Sequence, residues 1–427
     1  MLTRRMLLPL LAAGAATACS QQAAQSPLAA ATPSGTPATG VIPPAVTGTS
    51  SPTASDASSA PTLEGTLVVV FQRFAADWMN LLVPMGDPAY ASARPNLKIT
   101  NPLPLDGFFG LHPALTDLKT LFDAGSLGFV AATGWVPTDS RDRSHFFAQT
   151  IAESGARSGV NSGWLGRVMQ RDSAHNEDIW AALAAESSVP NSLQGFANAI
   201  AVRDFADYNH GSVMADAATG LQQALAEIAG APGAPELRLA RSIGALAAEP
   251  LPAPTVTYPT NSLGQGLKVA AQALKGGLAP RVITITSDDD WDTHVNQLSR
   301  HNSSLPAFAA AFKAFNDDMG ALMDKVTVVT MTEFGRKAVE NLGGTDHGTA
   351  SSMLVMGGQV TGGKVYGQWP GMEASKLYQG EDLEPTTDFR SVLGEILVKR
   401  LGVPESELET VFPGGYAAST NWRQFHR

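Results

Sequence analysis

The sequence predicts an α/β protein with a mostly parallel β-sheet. Five runs of apolar and β-branched residues have the length of buried parallel strands, at 66–71, 127–132, 281–286, 326–331 and 353–356. Segments with helical spacing separate these runs, and no internal repeat is visible. Strands that alternate with helices are typical of a parallel sheet covered on both faces.

Outside the region 170–260, four segments are predicted to be helices. Residues 113–124 have Pro113 at their start and Gly125 just past their end, the usual places of these residues in a helix. The other three segments, 144–154, 305–323 and 388–401, keep apolar residues at helical spacing.

The first 19 residues are expected to direct export to the periplasm or the cell surface. Arg4 and Arg5 give them twin-arginine character, and the apolar run that follows is shorter than the roughly 20 residues that span a bilayer. The run has two interpretations. Its Ala-x-Ala end suits cleavage to a free secreted form, whereas the small residues before Cys19 resemble a lipoprotein box with Cys19 lipidated.

Residues 20–62 are predicted to be a disordered linker before a folded body at 63–427. They are mostly Ser, Thr, Ala, Pro and Gly, with Asp56 as their single charge. Such a segment cannot bury enough apolar surface to offset the entropy lost on ordering. Within the body, the Ala-rich region 170–260 is predicted to be a helical insertion over the sheet, with helices near 215–229 and 235–248.

Charge and cysteine content exclude several classes of partner and bond. The net charge is −10 and no basic block is present, which argues against nucleic acid as a partner. The single cysteine rules out a disulfide within one chain. Contact with a membrane is expected only through a lipid anchor at Cys19.

Carboxylates and imidazoles stand next to the predicted strands, where open parallel sheets bind ligands. Carboxylate oxygens and imidazole nitrogens are the donors that divalent metal ions such as zinc prefer. This pattern predicts a metal-dependent hydrolase. The candidate residues are Asp77, Ser144, His145, Asp292, His294, Glu333, Asp346 and His347.

Each candidate also has a structural interpretation. Asp346 and His347 stand in a glycine-rich loop that could form an Asx turn. Ser144 precedes a predicted helix, where its usual role is to cap the helix. The arginines near acidic candidates, Arg336 and Arg390, could form ion pairs or bind an anionic substrate.

Seven motifs follow one another in the chain: LVVVF at 67–71, LDGFFGLHP at 105–113, RSHF at 143–146, WDTH at 291–294, EFGR at 333–336, GTDHG at 344–348 and TDFR at 387–390. Together they resemble a bacterial family of twin-arginine-exported proteins whose domain has no assigned function. This family is grouped with the alkaline phosphatase and sulfatase superfamily, so the resemblance implies an alkaline-phosphatase-like α/β/α sandwich. The resemblance covers residues 65–402.

The resemblance implies roles for several candidates. Asp77 is similar to an early aspartate that binds one metal, and Ser144 to a nucleophile at a helix start. The Asp346–His347 pair resembles the late Asp-His pair that binds the same metal.

A second metal of the superfamily takes an Asp and a His, which Asp292 and His294 resemble. Superfamily members often space this Asp and His by four residues, a spacing met here by Asp290 and His294. The choice between Asp290 and Asp292 therefore stays open.

The chain departs from the family pattern in two places. Family members usually have glycines where this chain has Phe74–Ala75 and Asp289–Asp290. After His347 only His426 remains, so His145 or Glu333 would replace the third histidine, or a single metal binds.

The expected function is hydrolysis of phosphate or sulfate esters by an exported protein that holds divalent metal, with zinc as a candidate. Ser144 or a bound water would attack, His145 would bind metal or transfer protons, and Arg336 would neutralise charge. The substrate would be an anionic small-molecule or polymer ester. The alternatives are a non-catalytic metal- or ligand-binding surface protein of this fold, and a surface scaffold for another exported protein.

Overall fold

The structure is a computed structural model that describes six ranges of the chain: 65–137, 141–158, 160–176, 178–208, 251–416 and 424–427. All of them belong to one unit, Ser58–Arg427. The expected export signal, the linker at 20–62 and the helices predicted near 215–229 and 235–248 lie outside the described residues.

The strands of the described residues form two sheets. In chain order they are β1 (Thr66–Gln72), β2 (Leu82–Val83), β3 (Leu103–Pro104), β4 (Gly110–Leu111), β5 (Leu127–Gly134), β6 (Ala182–Ala184), β7 (Ile200–Ala201), β8 (Val282–Ser287), β9 (Val326–Met331), β10 (Ala350–Gly357), β11 (Val365–Tyr366) and β12 (Thr387–Asp388). The central sheet runs β11-β5-β10-β9-β1-β8-β6-β7, with β12 beside β5, and β2-β4-β3 form the small sheet.

The predicted α/β class with a mostly parallel sheet is confirmed. In the central sheet, β10 is antiparallel to β5 and β9, and the other described pairs are parallel. The prediction of a parallel strand at 353–356 is therefore wrong in direction. The chain returns from β9 to β10 without a crossover helix, and such a return gives an antiparallel strand.

The helices of the described residues are α1 (Trp78–Leu81), α2 (Tyr90–Ala93), α3 (Thr116–Asp123), α4 (His145–Ser154), α5 (Trp164–Arg171), α6 (Ser262–Lys275), α7 (Gln297–Met319), α8 (Phe389–Leu401) and α9 (Leu408–Val411). Short 3-10 turns lie at Asn191–Leu193, Phe205–Tyr208, Gly320–Lys325, Ala374–Lys376 and Glu405–Glu407. The predicted helices at 144–154 and 388–401 match α4 and α8. The helix predicted at 305–323 begins earlier, at Gln297, and ends at Met319, with Pro306 inside it.

Side chains of the sheet alternate between two apolar layers. In β1, Val68 and Val70 pack with residues of α3, α6 and α7. Leu67 and Val69 pack with α5, α8 and α9 on the opposite face. Because successive strand residues point to opposite faces, this alternation produces an α/β/α sandwich.

The region 170–260 adds strands to the sheet where it is described. β6 pairs with β8, and β7 extends the edge beyond β6. This part is therefore an edge of the sheet and not a cap over it, while the insertion as a whole stays a prediction. Within the described ranges, no helix combines the length and hydropathy needed to cross a bilayer.

Candidate metal centre

The candidate residues meet at one edge of the central sheet. The parallel strands β5, β8 and β9 end at this edge, and the antiparallel β10 begins there. His145 follows β5, Asp292 follows β8, and His347 precedes β10. The reversed direction of β10 is therefore what brings His347 to the others.

Asp292 forms a cluster with His145, His294 and His347, which is called the group below. One oxygen of Asp292 lies at its centre. Asp292 Oδ1 accepts a hydrogen bond from Arg336 Nη2 at 2.5 Å. The Nε2 atoms of His294, His347 and His145 lie 3.0, 3.4 and 3.6 Å from the same oxygen. The Nε2 atoms of His294 and His347 are themselves 3.2 Å apart.

Each of the three imidazoles has an oxygen acceptor at its Nδ1 atom. Such an acceptor favours the tautomer with the ring proton on Nδ1, in which the Nε2 lone pair can bind a metal. The pairs are His145 with Glu333 Oε1 at 2.8 Å, His294 with Asp346 Oδ1 at 3.0 Å, and His347 with the Arg143 carbonyl at 2.8 Å.

These residues fit a divalent metal ion. His145, Asp292 and His347 each offer one ligand atom within 4.8 Å of the others. Zinc bonds of 2.0–2.1 Å in a tetrahedron put ligand atoms about 3.3 Å apart, close to the separations around Asp292 Oδ1. His145 Nε2 is buried and has no hydrogen-bond partner within the described part of the chain, as a ligand atom awaiting a metal would.

Charge and burial favour the metal-binding protonation states of Asp292 and His347. Burial alone would raise the pKa of Asp292, but the Arg336 guanidinium and the neighbouring imidazoles outweigh it and lower that pKa. Burial also lowers the pKa of His347, and Arg336 adds to this effect. An ionised carboxylate and a neutral imidazole are the forms that bind metal.

Arg336 is held inside the protein and does not face a substrate. Its side chain is fully buried. Its guanidinium donates to the carbonyls of Ala75, Trp291 and Thr345 at 3.0–3.2 Å, as well as to Asp292. Of the two interpretations, the structure places Arg336 in the ion pair, and Arg390 is likewise paired with Asp388.

A turn after β1 supports the group from below. Phe74 and Ala75 have φ angles of 83° and 56°, which glycine adopts without cost and other residues rarely do. These are positions where the resemblance leads one to expect glycine. The Phe74 N–H donates to Glu333 Oε1 at 2.8 Å, and the Ala75 carbonyl accepts from Arg336. The strained turn therefore fastens two residues that contact the group.

Asp77 is not brought into the group. It is completely buried, and its Oδ2 accepts from Arg94 and Gln297 at 2.6 Å each. Its Oδ1 accepts from the Met79 N–H at 3.2 Å. Burial alone would raise the pKa of Asp77, but Arg94 outweighs it and lowers that pKa. The predicted metal ligand is thus placed as a buried ion-pair carboxylate.

Asp346 lies behind His294 and does not face Asp292. Its Oδ1 meets His294 Nδ1, and its Oδ2 accepts from Asn341 at 2.6 Å. The geometry is that of a carboxylate that orients a metal-binding histidine. The glycines of its loop lie so close to neighbouring backbone that no side chain would fit. A Cβ at Gly344 would lie 2.2 Å from the His294 carbonyl carbon, and a Cβ at Gly348 would lie 2.4 Å from the Arg336 carbonyl carbon.

Two further candidates lie at the margin. Asp290 is exposed and forms an ion pair with Arg300, so of the two aspartates only Asp292 belongs to the group. Ser144 is the N-cap of α4, as its structural interpretation predicts, but its hydroxyl does not cap the helix. Its N–H donates to Asp142 at 2.6 Å.

Sequence reasoning missed some contacts and misplaced one histidine. Arg94, Gln297 and Asn341 belong to no motif, yet each holds an aspartate. His301 belongs to no motif, and the sequence alone therefore predicts it at the surface. In the structure it is completely buried, with Nδ1 2.6 Å from Asn80 Oδ1. The spacing of Gln297, His301 and Leu305 on one buried face of α7 was the available signal, and beginning the helix at 305 concealed it.

Solved structures are similar to this chain only weakly. Ps i-CgsB, in complex with k-i-k-neocarrahexaose, has 11% identity and a TM-score of 0.35, over 71% of this chain and 68% of that one. The C-terminal periplasmic domain of EcEptC from Escherichia coli, in complex with Zn, has 8% identity and a TM-score of 0.33, over 70% and 74%. Alkaline phosphatase from the Antarctic bacterium TAB5 has 11% identity and a TM-score of 0.27, over 71% and 94%.

Scores at this level carry no argument about activity. Among curated proteins, none matches this chain. The family model described as "Protein of unknown function (DUF1501)" matches residues 130–393, which is more than half of the chain, and the chain belongs to that family.

Proposed function

We propose that this protein is a metal-dependent hydrolase of phosphate or sulfate esters. One observation carries the proposal: three imidazoles have their Nδ1 atoms held by oxygen acceptors, while their Nε2 atoms converge on Asp292 Oδ1. Such an arrangement is costly to build without a metal, because it crowds lone pairs around one carboxylate oxygen.

The residues that would hold the ion are Asp292, His294, His347 and His145. When bound, a divalent ion supplies a Lewis acid for an ester oxygen and lowers the pKa of a coordinated water. About two fifths of each of the Asp292 and His294 side chains is exposed, which gives a substrate access. We assign His145 to the metal and not to proton transfer, because its only free nitrogen faces Asp292.

Other residues of the chain position these ligands. Glu333 and Asp346 hold two of the rings in orientation from behind, and Arg336 keeps Asp292 ionised. Asp77 is excluded from the proposed site by its pairing with Arg94, so we propose one ion and not two.

We propose Ser144 as the nucleophile or as the residue that positions the attacking water. Its place at the N-terminus of the ten-residue helix α4 supports this role, because backbone N–H groups and the helix dipole there favour an anionic ester. The Ser144 hydroxyl makes no capping bond to the helix that would occupy it.

A non-catalytic metal-binding protein is the second candidate. It is favoured by the pairing of Asp77 and by the backbone contacts that hold Arg336, because these remove a second metal and an anion clamp from the site. Both proposals share the metal and differ in turnover.

The experiment is metal analysis of purified protein followed by hydrolysis of an aryl phosphate and an aryl sulfate. We expect one divalent ion per chain and turnover of at least one ester, both lost in His347→Ala. The matched control is His175→Ala, since His175 pairs with Asp172 outside the group. Metal without turnover would favour the second candidate, and a chain that binds no divalent ion would refute both.

Export by the twin-arginine route and a lipid anchor at Cys19 remain proposals that rest on residues 1–19. Metabolic labelling with a radioactive fatty acid tests the anchor. Label in the wild type that disappears in Cys19→Ser is the expected result, and an unlabelled wild type would contradict it.

A further inference from the structure

A cavity opens at the same sheet edge as the candidate metal centre. Its volume is about 230 Å³, and it lies where β1, β6 and β8 end, a position where open parallel sheets bind ligands. We call it the glutamate cavity. Its polar lining includes Arg73, Gln149, Glu153, Glu186, Asn191 and Thr286.

Helix α4 connects this cavity with the metal centre. His145, Gln149 and Glu153 stand four residues apart and so share one face of the helix. From His145 to Glu153 the helix rises about 12 Å. On the sheet side, Arg73 lines the cavity while the ring of its neighbour Phe74 lies 5.5 Å from the His145 ring. The cavity and the metal centre are therefore neighbours along one face of α4.

The lining offers acceptors and donors side by side. Glu153 Oε2 accepts from the amides of Gln149 at 3.1 Å and Asn191 at 3.2 Å. Glu186 Oε2 accepts from the Thr286 hydroxyl at 2.8 Å. These bonds leave carboxylate lone pairs, amide groups and the Arg73 guanidinium for a ligand.

Three classes of ligand group can be compared with this lining. Two carboxylates, Glu153 and Glu186, line the cavity, and besides burial the charge of Glu153 raises the pKa of Glu186. An anionic ligand group would add a third like charge and is therefore disfavoured. An apolar group would leave buried polar atoms without partners, at a cost of about 1–3 kcal/mol each. A hydroxyl group both donates to carboxylates and accepts from amides, so several hydroxyls on one ring match the lining best.

We infer that the glutamate cavity binds the polyhydroxylated, sugar-like part of the ester whose anionic group occupies the metal centre. The inference rests on the proposed function and names its substrate class. It makes Glu153, Glu186 and Thr286 determinants of specificity, separate from the residues that hold the metal.

Binding without turnover tests this inference separately from hydrolysis. Saturation-transfer NMR on the full chain would use methyl glucoside, methyl galactoside, methyl mannoside and myo-inositol, with ethanolamine as a cationic comparison. We expect at least one neutral polyol to bind, with affinity about tenfold lower in Glu186→Leu and in Thr286→Val. The metal content of both variants should equal that of the wild type, which shows that they remain folded.

The control variant is Glu373→Gln, which removes an exposed carboxylate outside the cavity and should leave polyol binding unchanged. Turnover of aryl esters with no polyol bound would overturn the inference and leave the proposed function standing. If the protein binds a polyol, loses that binding in the cavity variants and turns over no ester, the polyol site is supported and the proposed hydrolase function is rejected. Binding of ethanolamine alone would overturn the inference in favour of an amine.

Discussion

Asp77 and Asp292 occupy matching places in the sheet but have opposite surroundings. Gln72 and Ser287 are register partners at the ends of β1 and β8, and each aspartate stands five residues beyond one of them. Each also meets a buried arginine, at 2.6 Å for Asp77 and 2.5 Å for Asp292. Asp77 is completely buried, whereas 39% of the Asp292 side chain is exposed.

The difference shows what separates a structural carboxylate from a candidate ligand. Donors from Arg94, Gln297 and the Met79 backbone occupy both oxygens of Asp77. Asp292 instead shares one oxygen with a single arginine and with the Nε2 atoms of three imidazoles, whose Nδ1 atoms face other oxygens. Residue type and place after a strand are the same, so the surrounding donors and the access of solvent decide the role.

The largest expected effect is on stability, in Asp77→Asn. Removing one charge of a completely buried pair leaves Arg94 uncompensated, which costs about 3–5 kcal/mol of unfolding free energy. Chemical denaturation of metal-free protein measures it. A loss below about 1 kcal/mol would contradict the role of Asp77 as a buried ion-pair carboxylate. A loss of metal affinity in the folded variant would instead indicate that Asp77 is a ligand.

The unfolding free energy should also depend on pH through His301, which is buried near Asp77. Burial lowers the pKa of His301 from 6.5 to about 4, although the Asp77 charge opposes this. Between these values the unfolded chain binds a proton that the folded chain does not, so unfolding free energy falls as pH falls from 6.5 to 4. The loss reaches about 3 kcal/mol.

Denaturation at a series of pH values, with chelator present, measures this effect. His301→Gln should have a shallower slope than the wild type by about one proton over the same range. Equal slopes in the two proteins would show that His301 is protonated in the folded state.

At the partly exposed Asp292, the variant Asp292→Asn should lower metal affinity while the protein stays folded. The amide keeps an oxygen for Arg336 but loses the negative charge, so zinc affinity should fall by about 100-fold or more. Isothermal titration with zinc measures the change. Asp290→Asn is the matched control, since Asp290 pairs with Arg300 at the surface and should change affinity by less than about twofold. Equal losses in both variants would contradict the assignment of Asp292.

The smallest effect on zinc affinity is expected in Glu333→Gln, because Glu333 contacts a ligand and not the ion. Glu333 is buried and orients His145, so an amide in its place should lower zinc affinity by about tenfold without unfolding the protein. The same titration measures it. An unchanged affinity would show that His145 does not bind the ion.

Much of the sheet and most of the group could be predicted because they depend on local pattern. Apolar runs marked β1, β5, β8 and β9, and the histidines stood beside them in short motifs. What failed depended on contacts between distant parts of the chain. The Arg94 that occupies Asp77 is 17 residues away and belongs to no motif, and the direction of β10 depends on a connection without a helix.

The sequence also could not distinguish a metal ligand from a residue that orients a ligand. Asp346 and His347 are neighbours, yet one lies behind the His294 ring and the other faces Asp292. Only the orientation of side chains separates these roles. The preference for Asp292 over Asp290 arises in the same way, from the exposed pairing of Asp290 with Arg300.

Asp292 and the three imidazoles of His145, His294 and His347 are proposed to bind one divalent ion. Anomalous X-ray scattering at the zinc edge, from crystals of the chain grown with zinc, would locate that ion. We predict one strong peak bonded to Asp292 Oδ1 and to the Nε2 atoms of His294, His347 and His145. No peak there, or a peak bonded to Asp77 or to Asp346, would contradict these ligand assignments.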